Sequence, residues 1–157
     1  ADVDLAPYAL QFERDPQLAQ KNLLAKYAHR EVTVAEAERQ LTHPAVLRPE
    51  LPGGFVRHEL RLIDMPCCTC LQAVYRNDKS DWLATFQQTS PEDFEFGACD
   101  RVVCEACGVQ TSVGQVCGRL AASWPVDGTY VTLVGAKNLQ QVVDAMEVLV
   151  SPSTRTE

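Results

Sequence analysis

The sequence lacks the features that mark several large functional classes. Basic residues are in the minority, with 14 Lys and Arg against 21 Asp and Glu, and the formal net charge is -7 at pH 7. No cluster of basic residues is present, which argues against nucleic acid or an anionic membrane as a partner. No apolar run is long enough to cross a bilayer. No glycine-rich phosphate loop stands between a strand and a helix.

Histidine is also scarce, with 3 residues in the chain. His29, His43 and His58 are not spaced as a ligand set, either with one another or with the cysteines. We therefore expect each of them to be a surface histidine or one whose hydrogen bonds are satisfied locally.

The sequence begins at Ala1, with neither an initiator methionine nor a signal peptide. Three origins fit Ala1-Asp2: cleavage by a signal peptidase, removal of a methionine, or a cut below a membrane anchor. The sequence is therefore also compatible with a membrane anchor in a missing N-terminal segment.

Cysteine, by contrast, is abundant and concentrated. The chain has 7 cysteines, and six of them lie in two short runs, residues 65–70 and 99–108. Each run contains a Cys-x-x-Cys pair, Cys67/Cys70 and Cys104/Cys107. Four thiolates on two tight turns suit a tetrahedral Zn²⁺ ion. Gly108 can adopt a positive φ and turn backbone amides toward the sulfurs.

The cysteines also allow other interpretations. Two or three disulfides would fit an exported domain, although the odd number leaves one thiol over. Cys99-x4-Cys104-x2-Cys107, with Cys117 downstream, matches an iron–sulfur spacing and hence an electron-transfer protein. The additional thiols Cys68, Cys99 and Cys117, with Met65 nearby, would suit copper(I). A thiol–disulfide redox protein is the rival from another functional class.

Composition and periodicity predict an α+β domain. Hydrophobic residues make up 46% of the chain and charged residues 22%, which is typical of globular proteins. Asp15-Pro16 predicts the start of a helix that runs to about His29. Thr33-x-x-Glu36 and Asn138-x-x-Gln141 predict two more helix starts. Between them, period-two alternation predicts an antiparallel sheet, covered by the C-terminal helix.

Two regions and one core follow from this pattern. Residues 1–50 are predicted to be a helical arm, and residues 51–157 a cysteine-rich sheet domain, the two forming one unit. Residues 89–115 are predicted to be irregular, and the loop from Phe94 to Cys117 is predicted to lose its order when a bound metal is removed. The predicted core is one cluster, covered by Val142, Val143 and Met146. Its members are Leu60, Leu62, Tyr75, Trp82, Phe86, Leu120, Trp124 and Leu133.

Several short motifs follow one another in an order typical of a known family. They are Val32–Ala37, Pro44, Pro49, Leu51–Phe55, Ala73–Tyr75, Phe86-Gln87, and Trp124, Gly128, Tyr130 and Leu133 before a helix. Over residues 32–150 the chain resembles the extracytoplasmic sensor-like domain of anti-sigma factors and envelope lipoproteins. The resemblance implies an α+β fold, a periplasmic or other extracytoplasmic location, and a non-enzymatic binding or regulatory role.

The chain departs from that family in its cysteines, which the family does not generally carry. It also has no cytoplasmic sigma-binding segment and no membrane helix, so a sigma-inhibiting activity is not carried over. We therefore expect a non-enzymatic envelope domain that binds a metal ion, most readily zinc, through Cys67, Cys70, Cys104 and Cys107. A protein partner in signalling is a further expectation.

Overall fold

A computed structural model describes residues 16–65, 68–89, 101–116 and 119–150. The elements in chain order are α1 (Pro16–Lys26), β1 (His29–Glu31), α2 (Val34–Gln40), β2 (Glu50–Leu51), β3 (Phe55–Asp64), β4 (Thr69–Arg76), β5 (Trp82–Gln88), β6 (Arg101–Ala106), β7 (Val109–Val116), β8 (Arg119–Val126), β9 (Thr129–Ala136) and α3 (Leu139–Leu149).

The nine strands form one open antiparallel sheet, which confirms the predicted α+β class. The strand order is β1-β3-β4-β5-β9-β8-β7-β6, and β2 also pairs with β3. The C-terminal helix α3 contacts β2, β8 and β9. Within the described ranges, no helix has both the length and the apolar character that a membrane span requires.

Two of the predicted helix starts are present as capped N-termini. The Thr33 hydroxyl accepts a hydrogen bond from Glu36 N at 3.1 Å, and Thr33 N donates to the Glu36 carboxylate at 3.1 Å. This reciprocal pair is a capping box, and it holds the pKa of Glu36 below its usual value. Asn138 caps α3 by accepting from Gln141 N at 2.9 Å. Short-range sequence signals therefore define both of these helix starts.

The sheet has two faces, each bordered by one terminal helix. On the α3 face, Trp124 Nε1 donates to the carbonyl oxygen of Leu149 at 3.2 Å. On the α1 face, the side-chain amides of Gln20 and Gln72 exchange two hydrogen bonds of 2.8 and 2.9 Å. Because both faces are covered around β4 and β5, every residue from Trp82 to Gln88 is buried.

The main core lies on the α3 face, and it differs from the predicted cluster in three residues. The predicted Leu60, Leu62, Tyr75, Trp124, Leu133, Val142 and Met146 belong to it, and Leu120 packs at its margin, whereas Val143 is half-buried and lies outside the cluster. Trp82 and Phe86 are buried but lie on the α1 face, because Tyr75 pairs with Leu83 and strand neighbours alternate. The alternation of apolar Trp82 and Phe86 with polar Thr85 and Gln87 indicated the opposite core side, but both faces of this strand are buried.

The second cysteine run also differs from the prediction. Residues 101–116 form the β6–β7 hairpin, with six ladder pairs from Arg101↔Gly114 to Ala106↔Val109. Backbone pairing and the contact of Val109 and Val113 with the core hold this segment in place. The expectation of an irregular segment is therefore wrong for residues 101–115, whereas its dependence on a bound metal stays a prediction.

Part of the first fifty residues belongs to the sheet, since β1 and β2 both pair with β3. The connection that follows α2 is attached to the α3 face by two long-range contacts. Gln87 accepts from Val46 N at 2.8 Å and donates to the Pro44 carbonyl at 2.7 Å. The Tyr75 hydroxyl donates to the Arg48 carbonyl at 3.0 Å.

A glycine in β9 is required by a close approach of Trp82. The register shifts between Leu120 and Ala121, which pair with Ala136 and Val134, so Gly135 is the extra residue of a bulge. Gly135 has a φ of 101°, and a Cβ at this position would lie 2.8 Å from the Trp82 ring and 2.9 Å from its carbonyl oxygen.

We expect Gly135→Ala to lower the free energy of unfolding more than Gly128→Ala, which is the matched control. Both glycines have positive φ, but a Cβ at Gly128 meets no atom within 4 Å. Backbone strain alone should cost about 1–2 kcal/mol at Gly128, and the clash with Trp82 should add about 1–3 kcal/mol at Gly135. Urea denaturation of the two variants measures the difference. Equal losses would show that Trp82 moves aside freely.

Candidate functional site

The described part of the second cysteine run lies at the tip of the β6–β7 hairpin. Cys107 and Gly108 form a two-residue turn with φ values of 51° and 79°. A tight hairpin turn of this kind needs positive φ at both positions, which glycine adopts without strain and cysteine does not. The predicted conformation of Gly108 is confirmed, and Cys107 carries the strain of the turn.

The Cys107 side chain lies against helix α3. Its Sγ is 3.8 Å from the Val143 carbonyl oxygen, within reach of a weak S–H hydrogen bond. Desolvation against the helix raises the pKa of the Cys107 thiol, and the negative charge of Glu147 raises it further. Cys104 and Cys107 are both free thiols. Reactive redox cysteines have a lowered pKa, so Cys107 is a poor nucleophile near neutral pH.

The first cysteine run lies at the tip of the β3–β4 hairpin. Met65 and Cys68 exchange two backbone hydrogen bonds of 3.1 and 3.2 Å, which extend the ladder beyond the pair Asp64↔Thr69. Cys70 pairs with Ile63 and is fully buried. Because alternate ladder pairs share a face, Met65, Cys68 and Cys70 belong to the α1 face. This tip therefore presents three sulfur-bearing side chains on one face.

The register places Cys70 and Cys104 on opposite faces of the sheet. A row of cross-strand partners on the α3 face runs through Leu71, Gln87, Val131 and Trp124. A row on the α1 face runs through Ser123, Ser112 and Val103. Cys70 precedes Leu71, so it faces α1, and Cys104 follows Val103, so it faces α3.

The two strands are also far apart. Four strands lie between β4 and β6, which corresponds to about 24 Å measured along the sheet. The structure therefore does not bring Cys70 and Cys104 together. Cys67, Cys99 and Cys117 lie outside the described residues, so the complete four-cysteine set stays a prediction. In the described part of the chain, no group of three or more His, Cys, Asp or Glu side chains is arranged to hold a metal ion.

A small cleft adjoins the tip of the β3–β4 hairpin. It has a volume of about 180 Å³, and its lining includes Cys68, Thr69, Thr89 and His43. His43 Nε2 is buried and has no hydrogen-bond partner in the described structure. Cys68 and His43 therefore line the same cleft.

Contacts from Gln87 and Pro44 determine the position of the His43 ring. Its Nδ1 lies 3.1 Å from the Pro44 carbonyl and 3.2 Å from Gln87 Nε2. Nδ1 either donates to the Pro44 carbonyl or accepts from Gln87 Nε2, and in the first of these tautomers Nε2 keeps its lone pair. Metal-binding histidines are commonly oriented by a backbone carbonyl in this way. Sequence reasoning assigned His43 no role, because the contact with Gln87 spans 44 residues and has no local signature.

Comparison of the chain with protein-family models, curated proteins and solved structures found no match. The similarity to the extracytoplasmic sensor-like domain therefore stays a prediction from the sequence motifs.

We expect the alkylation of Cys107 to be slow at neutral pH, because the thiolate is the reacting form and burial against α3 disfavours it. Iodoacetamide labelling is measured across a pH series by mass spectrometry of the peptide that contains Cys107. The midpoint is the pH at which the labelling rate is half of its maximum. The midpoint should lie above the usual value of about 8.5. Glu147→Gln should move it to lower pH without fully restoring the usual value.

Glu105→Gln is the matched control, since it removes one negative charge from the neighbouring strand and should leave the midpoint unchanged. A Cys107 midpoint at or below the usual cysteine value would contradict the desolvated environment described here.

Proposed function

We propose that the chain is a non-enzymatic binding domain of the cell envelope that holds a zinc ion at the tip of the β3–β4 hairpin. The thiolate of Cys68 and its neighbours in the same cysteine run supply sulfur ligands, and His43 supplies an imidazole nitrogen. The envelope location and the regulatory role rest on the sequence motifs of residues 32–150.

The observation that carries this proposal is the cleft shared by Cys68 and His43. The buried Nε2 of His43 has no partner in the described structure, and an unsatisfied buried polar atom of this kind costs about 1–3 kcal/mol. A metal ion bound in the cleft would satisfy it. Among the described residues, the tip of the β6–β7 hairpin has no buried imidazole nitrogen that lacks a partner.

The ligand chemistry favours zinc over the alternatives. A mixed set of thiolate and imidazole is typical of tetrahedral zinc sites. Copper(I) becomes the better candidate if the thioether of Met65, on the same sheet face as Cys68, joins the thiolates. Because thiols must lose their protons to bind a metal, we expect the affinity to rise with pH.

We expect Cys68→Ser and His43→Gln each to weaken zinc binding by at least about tenfold, since each removes one ligand. Protein prepared without chelators is analysed for metal content, and affinities are then measured by competition with a chromophoric chelator. Cys107→Ser is the matched control: it also removes one thiol at a hairpin tip, and it should leave the affinity unchanged.

The other outcomes separate the rival functions. Weakened zinc binding in Cys107→Ser, together with full affinity in Cys68→Ser, would restore the set of Cys67, Cys70, Cys104 and Cys107 that joins both hairpins. A metal-free parent protein with reversible thiol oxidation would favour the redox protein. A metal-free parent in which most cysteines resist alkylation until they are reduced would favour the disulfide-stabilised secreted domain.

A further inference from the structure

A groove between helix α1 and the sheet lies apart from both hairpin tips. It has a volume of about 530 Å³, within the range of about 300–1,000 Å³ that is common for small-molecule sites. The side chains that matter for its chemistry come from α1 and from the α1 face of β3 and β4. They are Lys21, Leu24, Ala25, Glu59, Arg61 and Arg76.

The groove is cationic in a chain that is acidic as a whole. Three cations line it against one carboxylate, Glu59, although the chain carries a net charge of -7. Arg61 is already paired, because its Nη2 lies 3.1 Å from Glu31 and 3.3 Å from Glu59. Across the described residues, no carboxylate lies within ion-pair distance of Arg76 or Lys21. A local excess of positive charge therefore remains for an anion.

Arg61 adds a second, independent signal. Its side chain is largely buried, with 17% exposed, and its Nε has no hydrogen-bond partner in the described part of the chain. A buried donor without an acceptor is unusual in native proteins, and an ordered water or a ligand oxygen would satisfy it. A carboxylate oxygen meets this requirement.

Beside the charged groups and the amide of Gln20, the lining is apolar. Leu24 and Ala25 form the α1 wall of the groove, so a ligand that carries only a charge would leave them in contact with water. A ligand with one anionic end and one aliphatic tail matches both parts of the lining.

The reciprocal amide pair between Gln20 and Gln72 fixes the α1 wall. The two hydrogen bonds of 2.8 and 2.9 Å are buried, and a buried, fully paired amide contact specifies one arrangement of the helix on the sheet. The groove is therefore formed before any ligand binds.

We propose that the groove between α1 and strands β3 and β4 binds a single-chain fatty-acid carboxylate, with Arg76 and Arg61 at the head group and Leu24 and Ala25 along the tail. This role goes beyond the proposed zinc site and does not depend on it. It gives a sensor-type domain a specific class of ligand.

The test is isothermal titration calorimetry of the full chain with dodecanoate, below the concentration at which dodecanoate forms micelles. Acetate tests the head group without a tail, and dodecyltrimethylammonium tests the same tail with a positive head group. We expect dodecanoate to bind, and acetate and dodecyltrimethylammonium not to bind. Added salt should weaken the binding of dodecanoate, because it screens the contact between arginine and carboxylate.

Arg76→Gln should weaken dodecanoate binding by at least about tenfold, because it removes the charge-assisted contact. Arg39→Gln is the matched control: Arg39 lies on α2, outside the groove lining, and its loss should change nothing. A thermal melt of each variant confirms that the fold is retained, and Lys21→Gln serves as the second groove variant if Arg76→Gln does not fold.

Three results would overturn the proposal: no dodecanoate binding by the parent protein, equal binding of the cationic amphiphile, or full affinity in both groove variants. The zinc measurement is independent of these results, since chelator treatment should leave dodecanoate binding intact. Failure of one proposal is therefore distinguishable from failure of the other.

Discussion

The antiparallel register of the central strands is the constraint on which the rest of the structure depends. Every residue of β5 is buried, as are Cys70 to Tyr75 of β4 and Val131 to Ala136 of β9. A slip of one residue would move every side chain of a strand to the other face. Here such a slip would place Gln72 and Phe86 against α3, and Leu71 and Leu83 against α1. After such a slip, few substitutions could restore the packing on both faces of the sheet at once.

The same register distributes the chemically distinctive groups. It assigns the sulfur-bearing side chains at the β3–β4 tip and the arginines of the groove to the α1 face, and Cys104 to the α3 face. Two Cys-x-x-Cys pairs with identical spacing consequently have unlike surroundings. Cys70 is sealed inside the sheet, whereas Cys107 lies exposed in a strained turn beside Glu147. Two identical sequence motifs need not form one site when the strand order and register place them in different parts of the sheet.

Local signals predicted the capped helix starts, the antiparallel sheet and the C-terminal helix, because each is determined by residues a few positions apart. The core face of β5 was predicted wrongly, because Trp82, Ala84 and Phe86 alternate with Thr85 and Gln87, and the more polar face is the one that lies toward α3. The β6–β7 hairpin was missed because its cysteines suggested a metal-bound loop, although Val109, Thr111 and Val113 alternate as in a strand. The cleft at His43 and the arginine groove depend on long-range contacts that leave no local pattern.

The position of β6 at the end of the described sheet has a kinetic consequence. A terminal strand has ladder partners on one side only, so it separates from its neighbour in small opening events that leave the interior strands paired. Cys104, half-buried on this strand, becomes accessible to solvent whenever β6 detaches from β7. Cys70, on β4 between β3 and β5, becomes accessible only when several strands separate together. Amide hydrogen exchange should therefore be faster in β6 than around Cys70. The amides of β6 exchange when this strand frays, whereas those around Cys70 exchange only when the whole sheet opens.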